Sequence, residues 1–585
     1  MIDKNSASFV QSLCMGQIQE EIVVPYPEMA PAEKETLAQV LASVNQLLAP
    51  RARDFREWDV RGEMPRSFVE ELKAFGLFGL VVPEEFGGLG FGSAAYSRTL
   101  QEIAKHDGSV ALTVGAHSSI GMRGLLLFGT EEQKKRWLPG LATGEYIAAF
   151  CLTEAGAGSD AAAVRTTAVR ADDHWVLNGE KIWITNGGIA RFFTVFAKTP
   201  AVRVNGKAQM TAFVVTRDMP GVSVGPHEDK MGIRASSTTS VHFEDVKIPD
   251  DHVLGEPGKG FKAAMRILNA GRTGLGGGCV GGMKRLLALA TKQAKERKQF
   301  GRPICEFGLV QQKLGEMVAD TFAAESVVGL VAGIIDQGYQ DYAVEAAISK
   351  VFATEALWRT ADEALQIAGG NGYMREFPYE RAMRDARINR IFEGTNDILR
   401  LFIALTAINE VGAQLKELAE SMKGVLHDPI KGFGVLSDYA LKHATIRTGL
   451  VGEKRGWTLL HPALKDTAEQ FEEETRELAW VADRVLRRHG RAVIDQQIAL
   501  RRLADVLVDL FVLAAVMSRV NAAVEDRGAE AAARELDILR VFARRARWRI
   551  RGNFRRVDVN DDDLVKSLAG DAIEREGFGW DAALS

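Results

Sequence analysis

A chain of 585 residues exceeds what one hydrophobic core supports, so about two to four domains are expected. Apolar residues at 46% and charged residues at 26% place it among soluble globular proteins. With 73 Lys and Arg against 77 Asp and Glu, the net charge of −4 excludes a global basic field for nucleic acid.

The start of the chain, MIDKNSASFVQSLCMGQIQEE, has neither a signal-peptide core nor the Arg-rich, acid-poor character of a transit segment. No stretch reaches about 18 uninterrupted apolar residues, and a bacterial cytoplasm is the simplest expected location. From Pro31 to about Gly144 the apolar spacing is helical, interrupted by the loop VPEEFGGLGFG, and the N-terminal helical domain is expected over 1–146. Across 147–256 the runs HWVLNGEKIWITN, RFFTVFAKT, MTAFVVTRD and SVHFEDVKI alternate polar and apolar residues and predict an inserted β domain. Helical spacing returns over 257–420, with long segments near 259–298, 306–337, 342–368 and 395–411. A looser stretch, 421–462, reads as a linker. A further helical set follows within 463–585, closed by an acidic, Gly-containing tail. The expected class is mainly α with an inserted β domain.

Cys14, Cys151, Cys279 and Cys305 lie far apart, without CxxC or Cys/His ligand spacing. That argues against a metal site or a disulfide framework and favours buried structural thiols over a catalytic one. Gly276, Gly278 and Gly281 supply a G-x-G-x-x-G match in GGGCVG. A dinucleotide fingerprint needs a preceding strand, whereas FKAAMRILNAGRTGL has helical spacing, so close helix packing is the better reading.

Five segments in one order carry more information: FCLTEAGAGSD, WITNGG, ERKQFGRPI, LQIAGGNGYM and RIFEGTNDI. Together they resemble the acyl-CoA dehydrogenase family. The resemblance covers nearly the whole chain and is closest to the very-long-chain subgroup with its extra C-terminal helical domain. It implies a helical N-terminal domain, a β-barrel or sandwich middle domain and a four-helix domain carrying the catalytic base, plus that addition. It also implies FAD and the conversion of long-chain acyl-CoA thioesters to trans-2-enoyl-CoA in fatty acid β-oxidation.

By the resemblance Glu393 is the base that removes the α-proton. Its N–H, with a ribityl hydroxyl of the flavin, binds the thioester oxygen. The Glu-Gly-Thr context alone favours a different role, an acid stabilising the start of the next helix; the other segments reverse that preference. Leu152, Thr153, Ser159, Trp183 and Thr185 match residues lining the flavin; alone, Trp183 reads as a sheet-core aromatic. Glu154 reads equally as a solvated loop acid. Arg297, Gln299 and Phe300, with Gln366, Gly369 and Gly370, match residues on the cofactor of a neighbouring subunit, which implies a homodimer at least. Thr395 and Asp397 match residues near the adenosine.

For substrate binding the resemblance implies Ser159, Arg272, Gly394 and Asn269, the last standing where relatives often have Asp. Gly115 and Ala116, in SVALTVGAHSS, are expected to form a small floor for a deep acyl pocket. Electron-transfer flavoprotein is the implied acceptor. An acyl-CoA oxidase and a non-catalytic scaffold on this fold are the alternatives. Finally, Arg487, Arg488, Arg491, Arg501 and Arg502 beside Leu/Val/Phe-rich sequence suggest peripheral membrane association; a core helix with a charged outer face is the rival reading.

Overall fold

The computed structural model describes residues 4–5, 8–425 and 456–581, and the statements below concern those residues. Helices Pro31–Leu48, Ala52–Arg61 and Arg66–Ala74 begin and end on local signals. Pro31 opens the first, and Gly62 closes the second in left-handed conformation at φ 78°. Their apolar faces meet at Phe55, Trp58 and Phe68, with the Phe55 and Trp58 rings edge to face at 5.5 Å. Ser93–His106 and Gly108–Ala116 follow, the latter capped by the Asp107 carboxylate, and the chain continues through one π-helical turn, His117–Gly121.

His117 ties this turn to the sheet. Its Nδ1 accepts the Ala148 N–H at 2.9 Å, and its Nε2 faces the Phe78 and Leu141 carbonyls at 3.1 and 3.2 Å. Those partners assign a neutral ring with the proton on Nε2. Burial pushes its pKa down to about 4. The unfolded chain therefore takes up a proton between about pH 6.5 and 4 that the folded chain refuses, so stability falls with acidification across that window, by about 3 kcal/mol in full. Denaturant titrations at neutral pH and near pH 4 are expected to differ less in His117→Gln than in the wild type.

The alternating runs form β1 (Ala148–Cys151), β2 (Thr167–Ala171), β3 (His174–Thr185), β4 (Phe192–Val204), β5 (Lys207–Thr216), β6 (Val222–Val224), β7 (Thr238–Pro249) and β8 (Val253–Leu254). They make one sheet in the order β6-β7-β3-β2-β4-β5-β8, with β1 beside β4. Phe193, Phe213, Val195 and Val241 fill one face, and Phe192, Phe196 and Val214 the other. Between Lys181 and Ile184 the β3–β7 register shifts. Trp183 lies in this bulge at φ 57° and turns its indole outward, 64% exposed. It is not a sheet-core aromatic.

Beyond the sheet, long helices occupy Gly260–Glu296, Gly308–Asp336, Ala343–Ala368 and Asn396–Val425, close to the predicted segments. Gly276 faces Val328 and Ser349, while Gly282 faces Leu357, so the first and third of these helices run in the same direction. A Cβ on Gly277 would stand 2.4 Å from the Ser97 carbonyl oxygen, and one on Gly281 would stand 2.1 Å from that of Gln101. The G-x-G-x-x-G match lies inside a helix, where Gly276 and Gly281 serve packing, and no strand immediately precedes it. Gly108–Phe128 and Gly308–Asp336 are long and apolar enough to cross a membrane by composition, but 67% and 72% of those windows are buried in the protein, as in core helices.

Helices Lys465–His489, Gln497–Arg527 and Ala533–Asp558 form the additional helical unit. Residues 8–24 pack into it rather than onto the helices that begin at Pro31: Phe9 meets Trp457, Phe471 and Phe511, and the Glu20 carboxylate accepts the Thr458 and Leu459 N–H groups. Most of the expected linker lies outside the described residues. The acidic tail contains a further helix, Asp562–Glu574.

The apolar surface expected to meet lipid is core. Leu503, Leu507, Leu510, Phe511 and Val516 are buried, while Arg487, Arg488 and Arg502 pair with Asp483, Asp558 and Asp562, and Arg501 lies 3.8 Å from Asp505. The rival core-helix reading accounts for this segment.

Candidate active site

Glu393 sits in the turn between the 3-10 segment Ile388–Arg390 and the helix Asn396–Val425. It adopts φ 57°, a left-handed conformation that costs a non-glycine residue on the order of 1 kcal/mol, and Gly394 follows at φ 87°. The pair swings the carboxylate away from the helix it precedes. Helix capping is done instead by Thr395, whose hydroxyl accepts the Ile398 N–H at 3.2 Å, and Asp397 supplies the first-turn acid. Glu393 is thus not a helix-start acid. Its Oε2 is buried and has no hydrogen-bond partner.

Burial raises the Glu393 carboxyl above the usual range, opposed by the Arg272 and Lys350 cations. Arg272 is itself buried and its Nη1 donates to Asn269 Oδ1 at 2.6 Å. Asn in place of Asp keeps that acceptor while removing a charge. Lys350 had no part in the sequence reading, since a lone Lys in a helical pattern reads as a solvated residue. It is fully buried and donates to the Gly394 carbonyl and to Asn396 Oδ1, both at 2.8 Å; Asn396 in turn donates to Thr354 and Glu355 at 2.9 Å. This network fixes the turn that carries Glu393.

Lys350→Met would remove a nearby cation, so the Glu393 carboxyl should titrate higher. Because a base works only when ionised, the acid limb of the kcat/KM profile is expected to move to higher pH. The unsatisfied Gly394 carbonyl should cost about 1–3 kcal/mol of stability. A pH profile beside a denaturation curve checks both.

Glu393 faces one end of a tunnel enclosing about 1080 Å³ of atom-free space, its mouth included. One wall is a stripe on Gly260–Glu296: Gly271, Gly274, Leu275, Gly278, Cys279 and Gly282, ending at Arg285 and Leu286. The opposite wall is Leu100, Ala104, Ala111, Leu112, Gly115 and Ala116. Gly115 and Ala116 line the tunnel as expected, but they are not its floor. Their helix runs along the tunnel: Ser119 and Ile120 beyond it meet Gly271 near Glu393, whereas Gly108 at its start meets Asp385 at the far end. The glycines at 274, 278 and 282 were missed as pocket residues, although their i, i+4, i+8 spacing puts them on one helix face. Burial pushes the Cys279 thiol up to about 12, which leaves it inert as a nucleophile.

Thr185 lines the tunnel, two residues beyond the outturned Trp183. Leu152 and Thr153 are brought beside them, because the Ile182 N–H donates to the Thr153 carbonyl at 3.0 Å and Lys181 Nζ donates to the Leu152 carbonyl at 3.0 Å. Glu154, read equally as a solvated acid, is buried. It accepts from Lys181 Nζ at 2.7 Å and from the Arg165 and Thr166 N–H groups. Ser159 lies exposed on the adjoining loop, outside the tunnel lining. The loop glycines 156 and 158 have no heavy atom within 4 Å of an added Cβ, so the loop is open around them.

The remaining predicted residues gather elsewhere. Arg297 caps the end of Gly260–Glu296, with Gln299 and a 94% exposed Phe300 just beyond, and Gln366, Gly369 and Gly370 end the co-directional helix Ala343–Ala368. Both groups stand toward one end of the bundle, with Arg297 about 37 Å along the helix from Arg272.

Comparison with known proteins gives four consecutive matches. Residues 31–145, 149–246 and 258–408 match the N-terminal, middle and C-terminal domains of acyl-CoA dehydrogenase, and 462–578 match the ACAD9/ACADV C-terminal domain. The mitochondrial very long-chain specific acyl-CoA dehydrogenase of Homo sapiens is 43% identical over 527 residues, 88% of this chain and 79% of that protein. A probable acyl-CoA dehydrogenase of Bacillus subtilis is 36% identical over 90% of this chain and 88% of its own length. Among solved structures, an acyl-CoA dehydrogenase complexed with FAD from Bacillus anthracis superposes with a TM-score of 0.79 at 33% identity, covering 96% of this chain and 94% of that one.

Proposed function

Because the chain belongs to the acyl-CoA dehydrogenase family, we propose that Glu393 removes the α-proton of a long-chain acyl-CoA held in the tunnel, giving the trans-2-enoyl thioester. One observation carries this reading: a buried carboxylate, swung out by left-handed backbone, with an oxygen that no protein donor meets. Burial strengthens it as a base, while Arg272 and Lys350 keep it ionised enough to act. The Glu393 N–H is the chain's own donor for the thioester oxygen as charge develops there.

FAD, which dehydrogenases of this family bind, supplies the hydride acceptor for the β-carbon when bound. Thr153, Thr185 and Trp183, with Leu152 and Ser159, would hold its ring system, and Thr395 and Asp397 would lie near its adenosine portion. Arg297, Gln299 and Phe300, with Gln366, Gly369 and Gly370, would hold the distal part of a cofactor seated on a second copy. A separation of about 37 Å within one chain supports this division and hence a homodimer. Electron-transfer flavoprotein is the acceptor in this reading.

Chain length follows from the tunnel wall. From Gly271 to Leu286 the helix rises about 22 Å, and an extended chain advances about 1.2 Å per bond, which leaves room for about eighteen bonds. Each buried methylene contributes about 0.8 kcal/mol. Anaerobic addition of acyl-CoAs of graded length to the yellow protein should bleach the flavin fastest with chains near palmitoyl. Fastest bleaching with butyryl-CoA would contradict the long-chain assignment, a colourless protein would favour the scaffold alternative, and prompt hydrogen peroxide in air would favour an oxidase.

A further inference from the structure

The tunnel is hydrocarbon along its length but not at its end. Arg285 and Asp385, with Asn389, line the far end, and Asp107 and Arg381 stand behind them, the last two 3.6 Å apart. Arg285 Nη1 is anchored on the His106 carbonyl at 2.7 Å. The Asp385 carboxylate accepts the N–H of Ile233, a residue at φ 46°. Gly108 leaves the other Asp385 oxygen uncovered, since even an added Cβ would lie 3.6 Å from it. A plain acyl chain needs none of this: its terminal methyl gains nothing from charged groups, and turning them toward an apolar cavity is costly.

We propose that this far end is a polar subsite for acyl-CoA whose chain ends in a hydroxyl group. The inference rests on the dehydrogenase reading above and specifies its substrate class. With Arg381 paired to Asp107, the groups facing the tunnel are the Arg285 guanidinium and the Asp385 carboxyl, a set that suits a group able both to donate and to accept. A hydroxyl can donate to Asp385 and accept from Arg285 at once. Burial and the neighbouring Asp107 push the Asp385 carboxyl up to about 7, so near neutrality it serves as donor or acceptor. The spacing also agrees: Gly271 to Arg285 is about 21 Å of helix, a span of about seventeen bonds at about 1.2 Å each.

The test uses the holoenzyme with palmitoyl-CoA, ω-hydroxypalmitoyl-CoA and the corresponding ω-carboxylate, reading anaerobic flavin bleaching and kcat/KM. The hydroxylated chain is expected to equal or exceed palmitoyl-CoA, where an apolar tunnel end would disfavour it by about 10- to 100-fold. Decanoyl-CoA and its ω-hydroxy form, too short to reach Arg285, should show that penalty. Arg285→Met and Asp385→Asn should each lower the hydroxy-to-plain ratio of the long pair at least tenfold. If Arg285→Met fails to fold, Asp385→Asn and the wild-type pairs still decide. A wild-type hydroxy chain more than tenfold poorer than palmitoyl-CoA would overturn the subsite, as would a preferred ω-carboxylate or a ratio unchanged in the variants. Absence of bleaching with every chain would overturn the reaction itself, and the subsite with it.

Discussion

Glu393→Gln is expected to fold, bind FAD and stay yellow when palmitoyl-CoA is added anaerobically, with flavin reduction slowed by at least about 10³-fold. The substitution keeps the side-chain shape and one acceptor oxygen but removes the carboxylate that would take the proton. Packing should barely change, because Glu393 Oε2 makes no bond within the protein. Loss of an unpartnered buried carboxylate should, if anything, raise the melting temperature. Stopped-flow absorbance near the main flavin band separates binding from reduction. A variant reduced at the wild-type rate would remove Glu393 from the chemistry.

The second large effect is one of selectivity. Gly278→Leu should cut kcat/KM for palmitoyl-CoA by at least about 100-fold while sparing hexanoyl-CoA, since a blocked tunnel forfeits about 0.8 kcal/mol for each methylene excluded. Gly278 alone among its neighbours has room: an added Cβ meets only Ala104, at 4.0 Å, and points into the cavity. It lies about 9 Å along the helix from Arg272, so a blocking side chain stops the tunnel near the seventh or eighth bond, at about 1.2 Å per bond. Replacing a helical glycine gains about 0.8–1.0 kcal/mol of propensity, so the fold should not weaken. The same change at Gly277 or Gly281 would collide with backbone and serves as the contrast.

These two residues illustrate what sequence does and does not disclose. Strands β3, β4, β5 and β7 and the long helices were legible because alternation and helical spacing report directly on which face is buried. Glu393 was legible only through its company. Its own context points to helix capping, and the left-handed backbone that redirects it leaves no trace in residue type. Gly278 was read with its neighbours as packing, which holds for Gly276, Gly277 and Gly281. One residue along the same helix, a glycine can face a cavity instead, and only the neighbouring helix decides which. Lys181 and Lys350 were invisible for the opposite reason: charged residues in regular elements read as surface until the carbonyls they serve are known. The Leu/Val/Phe residues of 503–516 read as a surface for the same reason, because such a face beside arginines is equally the inner face of a bundle.

The co-directional run of Gly260–Glu296 and Ala343–Ala368 has a genetic corollary. It puts Glu393 and Arg297 at opposite ends of one chain, so in the proposed homodimer each working centre draws its base from one copy and Arg297 from the other. Defects at the two positions should then complement. Chains lacking Glu393, refolded with chains lacking Arg297, would regain one intact centre per mixed dimer, about a quarter of full activity after random pairing. Two defects carried in the same chain and mixed with wild type would leave no intact centre in the mixed dimer, because each centre would meet one of them. An enzyme chemist would see recovery from two dead preparations, and a geneticist two complementation groups within one gene.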